Sequence, residues 1–83
     1  MTRYIKKPIP VEARQYIDDT ILEWINKDGD NAIIDYVNRL CVHTSEGLVH
    51  CEKGCYIIKG IEGEFYPIRE DIFNKTYEVY KEE

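Results

Sequence analysis

Residues 60–73 constrain the fold of this chain most strongly, because they place several chain-directing signals in one short segment. Two glycines permit the tight backbone of a hairpin turn, and the aromatic pair that follows them is typical of a strand. Pro67 predicts the end of the strand ladder, since proline has no backbone N–H to donate. Asp71 is expected to be a helix cap or a first-turn acid, with Ile72 and Phe73 turning back onto the sheet. The segment therefore predicts a hairpin corner that leads into one helical turn.

Hydrophobic periodicity predicts an α+β fold for the whole chain. Strands are expected at residues 11–17, 32–36, 39–44, 48–51, 55–61, 64–68 and 76–80, and helical segments at residues 19–27 and 69–75. The short connections favour antiparallel pairing, and small sheets tend to curl to protect their edges. We expect a small, mostly antiparallel curled sheet, extending to a partly closed barrel, with one short N-terminal helix and a helical turn before the last strand. A chain of 83 residues is expected to form a single domain over 1–83.

Charge is distributed unevenly along the chain, whose formal net charge is −5. Residues 1–17 hold four basic residues and one acidic residue, whereas residues 18–83 hold seven basic and fifteen acidic residues. This balance disfavours direct binding of nucleic acid over a broad surface. It is typical of a solubilising surface, and it also suits an acidic face that meets a basic partner or mimics a nucleic-acid backbone.

The sequence offers no signal for a membrane partner. It has no apolar run of spanning length, and no apolar stretch of the signal-peptide type follows the basic residues near the N-terminus. Its three cysteines are an odd number, which argues against a closed disulfide framework and favours reduced thiols. We therefore expect a cytoplasmic protein.

Soft or borderline metal ligands cluster in the middle of the chain, at Cys41, His43, His50, Cys51 and Cys55. A three-residue hairpin loop places Cys41, His43 and Cys51 on one sheet face, whereas a two-residue loop places Cys41, His43 and His50 there. Either register gathers three ligands, while a structural zinc site uses four. The spacing matches no common zinc module, so packing roles are favoured and neither a metal nor another cofactor is expected.

Nucleophilic and acid–base chemistry have little support in the sequence. Cys55 lies at a predicted turn, where exposure is expected, but only Lys53 is placed to lower the pKa of its thiol. His50 and Cys51 are adjacent on a strand and point to opposite faces. The paired carboxylates flank turns and helix starts, where acidic residues are routine. The chain is therefore not expected to be an enzyme.

Tyrosines and scattered cations are the remaining candidates for ligand binding. Most of the tyrosines are expected to line the core with a polar tip at its edge, and exposed ones favour a binding patch. Cations beside aromatic rings can hold a phosphate or a base. The candidate ligand-binding residues are Arg14, Arg39, Lys59, Tyr66 and Arg69.

Two segments of the chain show a family resemblance. Residues 54–68 read GCYIIKGIEGEFYPI and are followed by DIF at 71–73 and KTYE at 75–78, while KKP at 6–8, VEA at 11–13 and Gln15 open the chain. This pattern resembles a family of small uncharacterised phage and prophage proteins. The family usually has Pro-Gly-Asp where this chain has Lys-Gly-Cys at 53–55, so no role of that aspartate carries over. The resemblance implies a phage setting in a host cytoplasm, and it implies no activity.

Three hypotheses for function follow. The first is a small phage or prophage accessory protein that acts by binding and inhibits a host protein, such as a defence nuclease. The alternative is a sponge that sequesters a small nucleotide signal, for which a homo-oligomer would help to build the pocket. The third, a small enzyme using Cys55 or a metal at Cys41 and His43, ranks last. A specific function is expected in residues 18–50, which the resemblance does not cover, or on exposed tyrosines.

Overall fold

A computed structural model describes residues 1–81 of the chain. In chain order the elements are β1 (Glu12–Gln15), α1 (Ile21–Ile25), β2 (Ala32–Ile34), β3 (Leu40–Thr44), β4 (Gly47–Cys51), β5 (Tyr56–Lys59), β6 (Phe65–Ile68) and α2 (Glu70–Thr76). The predicted α+β class is confirmed. Both helices and the first six predicted strands are present, with ends within two residues of those predicted.

The strands form two antiparallel three-stranded sheets rather than the single curled sheet, or partly closed barrel, that the sequence predicts. Sheet I has the order β1-β5-β6, and sheet II has the order β2-β3-β4. The separation arises because β5 pairs with β1 at the start of the chain and not with its sequence neighbour β4. β6 of sheet I lies against β3 and β4 of sheet II.

The predicted closing strand at residues 76–80 is wrong. Thr76 ends α2, and residues 77–81 form neither helix nor strand. The ring of Phe73 stacks on Tyr56, with 3.9 Å between centroids, and Tyr77 stacks on Phe73 at 5.1 Å. These stacked rings hold the chain over one face of sheet I, so it does not extend along an edge strand.

The corner at residues 60–68 forms the predicted hairpin. The Gly63 N–H donates to the Gly60 carbonyl at 3.0 Å, and Gly63 has a φ of +86°, which favours glycine. Pro67 does not end the ladder as expected, because it lies inside β6 opposite Ile57. β6 is an edge strand of sheet I, where a missing N–H on the free side costs no ladder bond.

The core lies between the two sheets and is closed at one side by α1. Ile21 and Ile25 are buried on one face of this short helix, as their spacing of four residues predicts. The core cluster consists of Tyr16, Ile21, Ile25, Ala32, Leu40, Val42, Cys55, Ile57 and Phe65. Burial of these apolar side chains is the main stabilising contribution to a domain of this size.

Asn26, at the C-terminal end of α1, protects the edge strand β2. Its side-chain oxygen accepts from the backbone N–H groups of Asn31 and Ala32, at 2.7 and 2.9 Å. Its side-chain nitrogen donates to the Ala32 carbonyl at 2.8 Å. The amide thus makes the bonds to Ala32 that a neighbouring strand would make, and it joins α1 to sheet II.

We expect Asn26→Ala to destabilise the protein by about 1–3 kcal/mol, because Ala32 and Asn31 lose hydrogen-bond partners at a partly buried site. Urea denaturation followed by circular dichroism measures the change. Asn74→Ala, at an exposed position of α2, is the matched control and is expected to change stability by less than about 0.5 kcal/mol. Equal effects of the two substitutions would contradict this role of Asn26.

Candidate binding surfaces

The outer face of sheet II leaves large apolar side chains exposed. It carries Ile33, Cys41, His43, Leu48 and His50, since Ile33 and His50 both pair with Cys41, and His43 pairs with Leu48. Ile33 is 61% exposed and Leu48 is 49% exposed, although both are large apolar residues. Cys41 lies on the central strand between these side chains and is buried. We call these five residues the sheet II outer face.

The hairpin that joins β3 and β4 decides which cysteines and histidines share this face. Thr44 pairs with Gly47 across a two-residue turn, and Gly47 has a φ of +103°. Cys41, His43 and His50 therefore face outward together, whereas Cys51 pairs with Leu40 on the core side. This is the ligand set of the shorter-loop prediction, but the pairing differs from both predicted registers. Within residues 1–81, no three His, Cys, Asp or Glu side chains are grouped closely enough to hold a metal ion.

Cys51 and Cys55 are joined in a disulfide, which differs from the reduced thiols expected from the odd number of cysteines. Their Cα atoms are 6.4 Å apart, within the usual range for a disulfide. Cys55 is also buried in the core, so the expectation of an exposed thiol at a turn is wrong. Two backbone hydrogen bonds hold this turn against Tyr16 and so place Cys55 inside. The Gly54 N–H donates to the Tyr16 carbonyl, and the Tyr16 N–H donates to the Cys55 carbonyl, both at 2.8 Å.

A groove of about 540 Å³ runs beside this disulfide, between the end of β4 and the junction of β6 with α2. Its charged or titratable lining residues are His50, Glu52, Lys53, Arg69 and Glu70. Both charge signs are present. Glu70 also accepts from the Gln15 side-chain amide at 2.8 Å. The groove therefore has a polar wall of mixed charge, which favours neither an anionic nor a cationic ligand.

Thiol titration in denaturant tests the disulfide. We expect one free thiol per chain, that of Cys41, without reductant and three thiols after reduction. Cys41→Ser is the matched control and is expected to leave no free thiol until reduction. Reduction is expected to lower stability by about 2 kcal/mol, since the bond closes a short loop. Three thiols in unreduced wild type would instead support the reduced chain that the cysteine count predicts.

Two of the predicted ligand-binding cations lie together on sheet I beside aromatic rings. The Arg14 guanidinium carbon is 5.1 Å from the centroid of the Trp24 ring, and Lys59 Nζ is 5.9 Å from that of Phe65. The two rings meet edge to face, with 5.2 Å between centroids. β1 and β5 present both cations on one face, because Arg14 pairs with Ile57, two residues from Lys59. Arg14, Trp24, Lys59 and Phe65 form what we call the cation–aromatic cluster.

A carboxylate accompanies this cluster. Glu12 pairs directly with Lys59 and accepts a hydrogen bond from the Trp24 indole N–H at 3.3 Å. Its negative charge offsets one of the two cations, so the cluster and Glu12 together carry one net positive charge. Such a surface can stack a planar group and attract one anionic group, but it does not match a densely charged polyanion.

The other three predicted ligand-binding residues lie elsewhere. Arg39 Nε is 2.9 Å from Asp35 Oδ2 in the β2–β3 turn, and Arg69 Nε is 3.2 Å from Asp71 Oδ1 at the start of α2. Tyr66 lies on the face of sheet I opposite Lys59, since it pairs with Ile58. Burial raises the pKa of the Tyr66 hydroxyl, and its hydrogen bond with Tyr77 adds to the rise. The structure therefore brings together only Arg14 and Lys59 of the five.

Sequence reasoning missed the aromatic members of the cluster. Trp24 is predicted as part of an amphipathic helix, and Phe65 as part of a strand, but neither is predicted to contact a cation. The spacing of Glu12 and Arg14 by two residues does indicate a shared strand face. The position of α1 over sheet I decides which helix side chain covers that face. Hydrophobic periodicity predicts the helix but does not predict this position.

No protein-family model, curated protein or solved structure matches this chain. Within the described part of the chain, neither helix has the length and apolar character that a membrane crossing needs.

Proposed function

We propose that this chain is a small phage or prophage accessory protein that acts by binding and inhibits a host defence protein. The observation that carries the proposal is the sheet II outer face, where Ile33 and Leu48 stay exposed beside two histidines. Exposed apolar groups with a polar surround are typical of protein-interaction sites. The side chain of Cys41 lies buried at the centre of this face, on the middle strand β3.

Charge supports a basic partner surface. Residues 18–83, which include all of sheet II, hold fifteen acidic and seven basic residues. An acidic protein is steered toward a basic surface by long-range attraction, and nucleic-acid-processing proteins have such surfaces. A defence nuclease is therefore a suitable target, and the host cytoplasm is the place where the two would meet. The family resemblance supports the phage setting.

Infection of a host that carries defence systems tests the proposal. We expect expression of the wild-type chain to restore plaque formation, and Ile33→Asp or Leu48→Asp to abolish the effect. A charge placed in an apolar hot spot typically costs at least about 2 kcal/mol, or roughly 30-fold in affinity. Ile61→Asp is the matched control, because Ile61 is an exposed isoleucine in the β5–β6 turn of sheet I.

A pull-down from the same host gives the binding readout. The wild type and the Ile61→Asp control are expected to retain a specific defence protein, whereas the two sheet II variants lose it. Failure of the wild type to restore infection against any defence system, together with no specific partner, would sink the proposal. Restoration by the sheet II variants would move the binding surface away from sheet II.

A nucleotide sponge is the second candidate function, and the cation–aromatic cluster favours it. Arg14 over Trp24 and Lys59 over Phe65 supply rings and cations of the kind that hold a base and a phosphate. The single net positive charge suits a small nucleotide better than a nucleic-acid strand. In this case the chain would protect infection by lowering the concentration of a nucleotide signal.

Thermal unfolding with a panel of linear and cyclic nucleotides tests the sponge. A ligand at 100 times its Kd is expected to stabilise the wild type by about 2.7 kcal/mol. Arg14→Ala is expected to remove this shift, while Arg39→Ala, paired with Asp35 away from the cluster, keeps it. Unchanged melting of the wild type across the panel would count against the sponge and leave the protein-binding proposal intact.

A further inference from the structure

The N-terminal arm, residues 1–11, is exposed from residue 1 to residue 10. It contains neither helix nor strand, and its large apolar side chains are open to solvent, with Tyr4 92% and Ile5 93% exposed. The described chain is correspondingly extended. Its radius of gyration is 13.8 Å, whereas a compact chain of this length has about 12 Å. Exposure of several large apolar residues in one segment indicates a binding element without its partner.

The arm is basic and partly stiff. It carries Arg3, Lys6 and Lys7 and no acidic residue. Pro8 and Pro10 each fix one backbone angle, and the Ile9 N–H donates to the Lys7 carbonyl across Pro8 at 2.8 Å. A restrained segment loses less conformational entropy when it binds. The arm therefore suits an acidic site with an apolar floor.

The chain itself contains such a site. A groove of about 500 Å³ lies between α1 and β2, with an apolar floor from Leu22, Ala32, Ile33 and Ile34 and polar walls from Asn26, Asp30 and His43. We call it the Asp30 groove. Residues 18–35, which contain α1 and β2, hold six acidic residues and one basic residue. The acidic residues include Asp28 and Asp30 in the loop that leads to β2. Charge and apolar character thus match those of the arm.

Geometry separates the arm from the groove of its own chain. The arm joins β1 at Glu12, whose carboxylate accepts from the Trp24 indole N–H. Residues 22 and 26 line the groove, and helical spacing directs them away from the side of α1 on which residue 24 lies. The arm therefore begins on one side of α1, and the Asp30 groove opens on another.

We infer that the N-terminal arm of one copy docks in the Asp30 groove of a second copy, with Lys6 and Lys7 beside Asp28 and Asp30. Reciprocal exchange of the two arms closes a two-fold dimer. Tyr4, Ile5 and Ile9 supply the apolar contacts, and the acidic loop supplies the attraction. The inference does not rest on the proposed function, although the groove shares Ile33 and His43 with the sheet II outer face, so a docked arm and a host protein on that face would compete.

Charge reversal tests the exchange. An arm variant, Lys6→Glu with Lys7→Glu, and a groove variant, Asp28→Lys with Asp30→Lys, each place like charges together in a homodimer. Sedimentation equilibrium over a range of protein concentration is expected to show dimers for the wild type and monomers for each variant. An equimolar mixture restores opposite charges at both contacts, so heterodimers are expected. Higher salt is expected to weaken the wild-type dimer.

Lys53→Glu with Lys75→Glu is the matched control, since it makes the same charge change outside the arm and is expected to leave dimers. Three results would overturn the inference: a wild type that stays monomeric at every concentration, an arm variant that dimerises as the wild type does, or a mixture that stays monomeric. A monomeric wild type whose arm is protected from protease only when Asp28 and Asp30 are intact would show docking within one chain. The oligomeric state is measured without any host protein, so none of these results decides the proposed function, whose test at Leu48 lies outside the groove.

Discussion

Tyr16 joins the two sheets, and the relative positions of the sheet II outer face and the cation–aromatic cluster depend on it. Its ring is 1% exposed in the core, and its hydroxyl donates to the Asn38 carbonyl in the β2–β3 turn at 2.8 Å. Its backbone bonds on both sides to Gly54 and Cys55. Tyr16, which directly follows β1, therefore connects sheet I to the disulfide loop and to the β2–β3 turn of sheet II. Burial raises the pKa of the hydroxyl, and the nearby carboxylate of Asp35 adds to the rise, so the donor stays protonated at neutral pH.

The central strand of sheet I is covered on both faces, whereas the outer face of sheet II is not. Ile57 and Ile58 are consecutive in β5 and face opposite sides of sheet I, yet both are fully buried. One side faces the core, and on the other the rings of Tyr56 and Phe73 stack. On the outer face of sheet II, by contrast, Ile33 and Leu48 remain exposed. Exposed apolar surface is unfavourable in water, so a partner that covers this face would lower the free energy of the complex.

Local sequence signals predicted the elements well and their assembly poorly. Alternation and turn residues locate six strands, because each strand carries its own apolar pattern. The pairing of Ala13 with Ile58 spans α1 and all of sheet II, and no local pattern specifies it. The turn before Gly47 shows the same limit at a finer scale. A shift of one residue decides whether His50 or Cys51 shares a face with Cys41, so the metal hypothesis depended on a register that the sequence left open.

The candidate ligand-binding cations separate for a related reason. Arg39 and Arg69 each lie near a carboxylate close in sequence, Asp35 and Asp71, and the folded chain forms both ion pairs. Arg14 instead contacts Trp24 from a helix, and Lys59 contacts a ring on the next strand, so their role depends on tertiary structure. Cations with local acidic partners have less charge available for a ligand, because exposed pairs already satisfy part of it. Within residues 1–81, the cations of the cation–aromatic cluster and of the N-terminal arm have no such local ion pair, and both groups lie on the N-terminal side of Tyr16, the cluster on β1 and β5 and the arm before β1.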